Sequence, residues 1–236
     1  QVLVKVCYSG ICGAQINEID AVKGPDKFLP HLLGHEGSGI VADIGPGVTT
    51  VKKNDHVVLH WRKSLGVQSP TPNYKWNKKK INAGWITTFN EYAVVSENRV
   101  TSISKNFDLK TAALFGCAIT SGFGAVNNDA KVKIGQSVLI YGLGGMGLSI
   151  ADACSLVSAN PIVGIDIHES KLELSKKFGT TDTIINKDNN YVKKKISDIF
   201  GKKGPEVVFE TTGNSKLMEH AYEVTPNDGK TVYVGV

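Results

Sequence analysis

Cysteine is scarce in this 236-residue sequence: only Cys7, Cys12, Cys117 and Cys154 occur, with none between Cys12 and Cys117. Spacing this wide argues against a disulfide framework and leaves thiols for a metal or a core. Long apolar runs are missing too. None approaches the ~20 residues of a membrane-spanning helix, and Gln1–Gly10 lacks the layout of a secretory signal. A cytoplasmic protein with no membrane partner is expected. No internal repeat or low-complexity tract is present, which excludes solenoids and fibrous arrays. Acid is absent from Trp61–Gly84, a stretch carrying Arg62, Lys63, Lys75, Lys78, Lys79 and Lys80. The net charge of +5 rests there: outside it the 27 basic residues fall to 21, against 22 acidic ones. Nucleic-acid binders spread basic residues over a whole face, so no nucleic-acid partner is expected. An initiating methionine is also lacking, and Val2, Val4 and Val6 already alternate as a strand does. The chain thus reads as a fragment or a processed protein.

What is present falls into two patterns. Up to about Ile103, short apolar stretches (Gln1–Tyr8, Ile40–Ile44, Asp55–Trp61, Thr87–Val95, Arg99–Ile103) are separated by Gly and Pro turns, and a polar, helical stretch runs to about Lys23. This predicts a mostly antiparallel β domain. Arg62–Trp85 contains or borders all three tryptophans, Trp61, Trp76 and Trp85. So much aromatic surface predicts a segment folded back on the body and held by aromatic burial. From Asp108, a helix cap, the period changes. Two helical stretches, Asp108–Phe115 and Thr120–Asn128, precede strict alternation. Strands Val138–Tyr141, Pro161–Ile165, Thr183–Ile185, Val207–Glu210 and Thr231–Val234 enclose helices Leu148–Val157, Ser170–Phe178, Tyr191–Phe200 and Ser215–Val224. Five strands joined by four helices predict a doubly wound parallel sheet, an α/β fold.

The organising stretch is Ser137–Gly147. A continuously apolar strand, Val138–Tyr141, runs into G-x-G-x-x-G at Gly142, Gly144 and Gly147, and a helical segment follows. In such a turn one glycine allows the bend, one lets the backbone approach a pyrophosphate, and one packs helix on strand. A second strand then delivers Asp166, nineteen residues past Gly147, where a carboxylate holds the ribose hydroxyls of NAD. Ile167 and His168 follow where an arginine would meet the 2′-phosphate of NADP. NAD is the expected cofactor.

Cys12 sits in a turn after a strand, His35 in Gly34-His35-Glu36, and Cys117 just before a helix. Singly, each reads as readily as a buried thiol or a structural histidine. Their order changes the reading. Cys12-Gly13, Gly34-His35-Glu36-Gly37-x-Gly39, Gly116-Cys117, the glycine turn and Asp166 together resemble the zinc-dependent alcohol dehydrogenases of the medium-chain dehydrogenase/reductase family, over nearly the whole chain. The resemblance implies a GroES-like catalytic domain over 1–115 and a Rossmann domain over 116–236, each completed in full-length members by chain beyond the ends here. It implies one catalytic zinc on Cys12, His35 and Cys117, with Glu36 as a carboxylate near the metal and Trp61 walling the substrate pocket. Gly145 and Met146 would offer N–H groups to the pyrophosphate, Lys171 would lie near the adenosine ribose, Ser121 and Thr212 near the nicotinamide, and Val234 would meet its carboxamide. The substrate would be a small alcohol or carbonyl compound, and the full-length protein a homo-oligomer.

Departures from the pattern are informative. The four cysteines of a structural zinc are absent, so no second zinc is expected. The hydroxyl two residues past the first ligand is Ala14, the histidine of its proton relay is Asn17, and the carboxylate that orients the ligand histidine is Gln15. Two alternatives follow: a zinc-free quinone-reductase-like enzyme, against which the three ligands argue, and a catalytically weak or inactive nucleotide-binding relative.

Overall fold

The computed structural model describes residues 1–235; Val236, the last residue of the second expected domain, lies outside them. The chain divides into two compact units, Gln1–Ala118 and the residues from Ile119 onward.

The first unit is built on β1 (Val2–Ser9), β2 (Glu36–Ile44), β3 (His56–His60), β6 (Tyr92–Val95) and β7 (Val100–Ile103). They form one antiparallel sheet in the order β6-β1-β2-β3-β7. Alternation dictates which face is buried: Val2, Val4, Val41, Val57, Leu59, Ala93 and Val95 form one apolar cluster. Helix α1 (Gly13–Ile19) is shorter than the expected stretch to Lys23, because the chain turns at Asp20. Asp108 caps α2 (Leu109–Ala112), its carboxylate accepting from the N–H groups of Lys110 and Thr111. A 3₁₀ turn, Ala113–Gly116, follows.

The basic segment folds back as expected, but not by aromatic burial. Trp61, Trp76 and Trp85 are 42%, 67% and 48% exposed. Polar ties hold it instead. Buried Glu97 accepts from the backbone N–H groups of Thr49, Thr50 and Val67 at 2.6–2.8 Å. Ser96 Oγ accepts from Ser69 N and Gln68 Nε2, and the Tyr74 hydroxyl accepts from Val94 N. Within the segment, β4 (Tyr74–Trp76) and β5 (Lys79–Ile81) pair as a hairpin. Its turn residues Asn77 and Lys78 have φ of 48° and 65°, as a two-residue hairpin turn requires.

The second unit holds a parallel sheet of β8 (Val138–Tyr141), β9 (Ile162–Asp166), β10 (Asp182–Ile185), β11 (Val207–Glu210) and β12 (Lys230–Tyr233). The order is β10-β9-β8-β11-β12. Helices α4 (Gly145–Leu156), α5 (Glu169–Lys176), α6 (Asn189–Phe200) and α7 (Ser215–Val224) alternate with the strands. Every residue of β8, β9 and β11 is buried, which is why these strands read as continuous runs. Val138, Ile140, Phe209, Ile150 and Cys154 cluster on one face, and Leu139, Tyr141, Val208, Val192 and Ala221 on the other. The sheet is therefore doubly wound. Strand order reverses between β8 and β11, and ligands of such sheets bind at the carboxyl ends of the strands at that point. Among the described residues no single helix is long and apolar enough to cross a membrane.

Candidate functional site

Three loops of the first unit converge. Cys12 is the residue before α1, His35 immediately precedes β2, and Cys117 follows the 3₁₀ turn. Their ligand atoms all lie within 4.8 Å of one another. The close approach depends on Gly116, where a Cβ would meet Leu59 O at 2.4 Å and Glu36 Cβ at 2.6 Å. The Cys117 thiol holds Cys12 well below the usual thiol range by hydrogen bonding to it, and His35 adds to the effect. The shared proton and burial push Cys117 up in turn. The Cys12 sulfur likewise raises His35.

Gln15, on α1 and 4% exposed, places its amide 2.5 Å from His35 Nδ1. His35 Nε2 is buried without a hydrogen-bond partner of good geometry, and so is Gln15 Oε1. A half-turn of the amide puts Oε1 on Nδ1–H and leaves Nε2 as a lone pair beside the two sulfurs. That lone pair is the one a cation would take. Two thiols and an imidazole suit zinc over calcium or magnesium.

Glu36 is 4% exposed and accepts from the Ala118 N–H; burial raises it to about 7. Trp61 donates its backbone N–H to Gly116 O at 3.4 Å, and its indole N–H bonds the Cys117 sulfur. Thus Cys12, His35, Glu36, Cys117 and Trp61 come together. Ala14 and Asn17 lie on α1.

In the second unit β8 ends at the glycine turn. Gly147 is packed so tightly that a Cβ would lie 1.9 Å from Gly142 O. At Gly144, by contrast, a Cβ would meet nothing within 4 Å. Open space therefore faces the start of α4, where Gly144 offers no side chain to cap Gly145, Met146 and the residues after them. Those free N–H groups and the helix dipole suit a phosphate. Asp166 closes β9 and accepts from Leu143 N (2.8 Å) and His168 N (3.0 Å), with Lys171 Nζ 3.7 Å from it. Thr212 follows β11 and lies against Gly142. Val234 donates its N–H to Glu210 O, and Ser121 sits on α3 (Ala118–Gly124), whose Gly122 packs against Ser149 of α4.

Two supporting carboxylates escape a reading of the sequence. Glu210, fully buried, accepts from Thr212 and Gly213 and holds the turn after β11. Glu97 anchors the basic segment. Glu210 ends the apolar run of β11 and Glu97 follows that of β6, a placement that marks each carboxylate in the sequence without naming its partners.

Comparison with known proteins agrees with this geometry. A family model described as an alcohol dehydrogenase GroES-like domain matches residues 1–105, and one described as a zinc-binding dehydrogenase matches 142–236. S-(hydroxymethyl)glutathione dehydrogenases from Photobacterium damsela subsp. piscicida and from Synechocystis are each 32% identical over 100% of this chain and 71% of their own length. The crystal structure of benzyl alcohol dehydrogenase from Acinetobacter calcoaceticus superposes with a TM-score of 0.87 at 31% identity, covering 100% of this chain and 69% of that one. The fold, the ordered motifs and these likenesses agree: the chain belongs to the zinc-dependent alcohol dehydrogenases of the medium-chain dehydrogenase/reductase family.

Proposed function

We propose that this chain oxidises an alcohol, or reduces the matching carbonyl compound, with NAD and a single catalytic zinc. The observation that carries the reading is the convergence of Cys12, His35 and Cys117, with the buried His35 Nε2 facing the two sulfurs. When bound, zinc supplies a Lewis acid for the substrate oxygen and NAD accepts the hydride. Cys12, His35 and Cys117 hold the metal, and Gln15 orients the imidazole through Nδ1. Glu36 stands behind the ligands as a buried carboxylate. Trp61 walls the substrate side. In the second unit the α4 N-terminus takes the pyrophosphate with the N–H groups of Gly145 and Met146, beside Gly142, Gly144 and Gly147. Asp166 accepts from the ribose hydroxyls with Lys171 beside it, and Ser121, Thr212 and Val234 serve the nicotinamide end. Ala14 and Asn17 cannot carry a proton near neutral pH, so the alcohol proton leaves through water or another group.

The test is metal analysis after reconstitution together with NADH formation on a panel of alcohols. One zinc per chain and zinc-dependent turnover are expected. Turnover unaffected by a chelator would favour the quinone-reductase-like alternative, and NAD binding without turnover on any alcohol the inactive one.

A further inference from the structure

We propose that the alcohol used by this chain carries an anionic group, a carboxylate or a phosphate, and that Arg62 binds it beside the metal pocket. The inference rests on the dehydrogenase reading above and adds the substrate class.

The backbone at Trp61 and Arg62 is fixed at three points. The Trp61 N–H donates to Gly116 O, the Arg99 guanidinium donates to Trp61 O, and His60 Nδ1 donates to Arg62 O at 2.8 Å. Trp61 in turn bonds the Cys117 sulfur. The Arg62 guanidinium carbon sits 5.1 Å from the Trp61 ring centroid, the distance of a cation resting on an aromatic face. Adding the indole and its bond to sulfur, the guanidinium charge lies within ~10 Å of a metal-ligating atom. A surface lysine on a mobile stem has none of this preparation.

That charge is also uncompensated. Among the described residues no carboxylate lies within ion-pair distance of Arg62, Lys63 or Arg99. Arg99 is 5% exposed, and its Nε has no partner. Glu97, two residues away, spends its oxygens on the N–H groups of Thr49, Thr50 and Val67. Trp61–Gly84 holds no acid at all. A planar guanidinium resting on the Trp61 ring, with free donors, matches carboxylate and phosphate oxygens two at a time. Arg99 acts as a positioning residue: it holds the carbonyl that aims the Trp61–Arg62 pair.

The experiment compares 6-hydroxyhexanoate and 6-hydroxyhexyl phosphate with 1-hexanol on the zinc-loaded chain with NAD. The ratio of kcat/KM, anionic over neutral, should be at least ~10-fold at low salt and shrink as ionic strength rises. Whichever anion gives the larger ratio identifies the group. Arg62→Gln should bring the ratio to within ~2-fold of one, and Arg62→Lys should keep an intermediate value, since a point charge lacks the fork. A second reading needs no turnover. Tryptophan fluorescence of the metal-free chain should change saturably with 6-hydroxyhexanoate or inorganic phosphate, and Arg62→Gln should abolish the change. A wild-type ratio near one, or a preference that survives Arg62→Gln, overturns the proposal. If no alcohol is turned over, the dehydrogenase reading fails, and absence of an Arg62-dependent fluorescence change then rejects the anion site separately.

Discussion

The glycine turn after β8 and the pocket of Cys12, His35 and Cys117 are built by different means for the ligands proposed for them. The turn is one contiguous stretch that offers backbone, and its chemistry depends on what is missing: no Cβ at Gly147, no capping side chain at Gly144. The pocket offers side chains carried by three loops from distant parts of the chain, and its chemistry depends on which atoms are present. A substitution in the turn should therefore damage the fold or the approach of a phosphate. One in the pocket should remove a ligand and leave the sheet intact.

The largest expected effect sharpens that contrast. Cys12→Ala leaves two ligands, so zinc content should fall from one per chain to less than ~0.1, and turnover by at least ~10³-fold, since the Lewis acid contributes several kcal/mol. NAD affinity, measured by nucleotide fluorescence, should stay within ~3-fold of wild type. A loss of NAD binding equal to the loss of zinc would break the separation between the two sites. Stripping zinc with a chelator should reproduce the same pattern in the unaltered chain.

Next comes a pair within the turn. Gly147→Ala places a methyl where Gly142 O already stands, 1.9 Å away, and backbone cannot step aside cheaply. A loss of ~3 kcal/mol or more is expected, read as a thermal midpoint lower by roughly 6–12 °C. Gly144→Ala faces open space and should leave the midpoint within ~2 °C while lowering NAD affinity about tenfold or more. Equal melting of the two variants would show that the packing at Gly147 is not what the turn requires.

These differences also explain what could be read from the sequence. Ser137–Gly147 and Asp166 were legible because neighbours in sequence there are neighbours in space, and because β8, β9 and β11 are buried throughout. The convergence of Cys12, His35 and Cys117 was legible only as an ordered series of motifs, since no periodicity links Cys12 to Cys117. Other features were obscured. The strand expected over Ile40–Ile44 begins four residues earlier, β2 starting at Glu36. Gly37 and Gly39 are in-strand because a Cβ there would meet Tyr8 O at 2.8 Å and Lys5 O at 2.2 Å on β1. Thr87–Val95 shortens to β6, Tyr92–Val95. The Tyr74–Ile81 hairpin carries too much lysine to show an apolar pattern. Its segment depends on Glu97, and the backbone partners of a single carboxylate have no signature in a sequence.

A smaller effect tests how the pocket orients its imidazole. Gln15→Glu keeps the side-chain length and gives His35 Nδ1–H an ionised acceptor, which makes Nε2 a stronger donor to a metal. Zinc affinity, measured by competition with a chelator, should rise between ten- and a hundredfold. The added charge is buried, so the gain should appear in the metal-bound state and the metal-free chain should be no more stable than wild type. Unchanged affinity would mean that His35 is held by something other than its Nδ1 bond, and the half-turn of the Gln15 amide would lose its basis.

The smallest expected effect returns to the backbone-built site and its one essential side chain. Asp166 would accept from both ribose hydroxyls of NAD, whereas the 2′-phosphate of NADP would meet its negative charge. A bare buried carboxylate would discriminate strongly. Lys171 Nζ, 3.7 Å away and itself part exposed, weakens that repulsion. We therefore expect NAD to bind at least tenfold more tightly than NADP, about 1.4 kcal/mol, and not by the several orders of magnitude that an unscreened charge would give. Asp166 also accepts the N–H groups of Leu143 and His168, so the informative change is one that keeps an acceptor in place. Asp166→Asn should bring the two affinities to within ~3-fold of each other, with melting curves checking that the turn survives. Lys171→Ala should act in the opposite direction and widen the preference for NAD, because it removes the screening cation and leaves the carboxylate. If Lys171→Ala narrowed the preference instead, the lysine would be holding the NAD ribose and not screening Asp166.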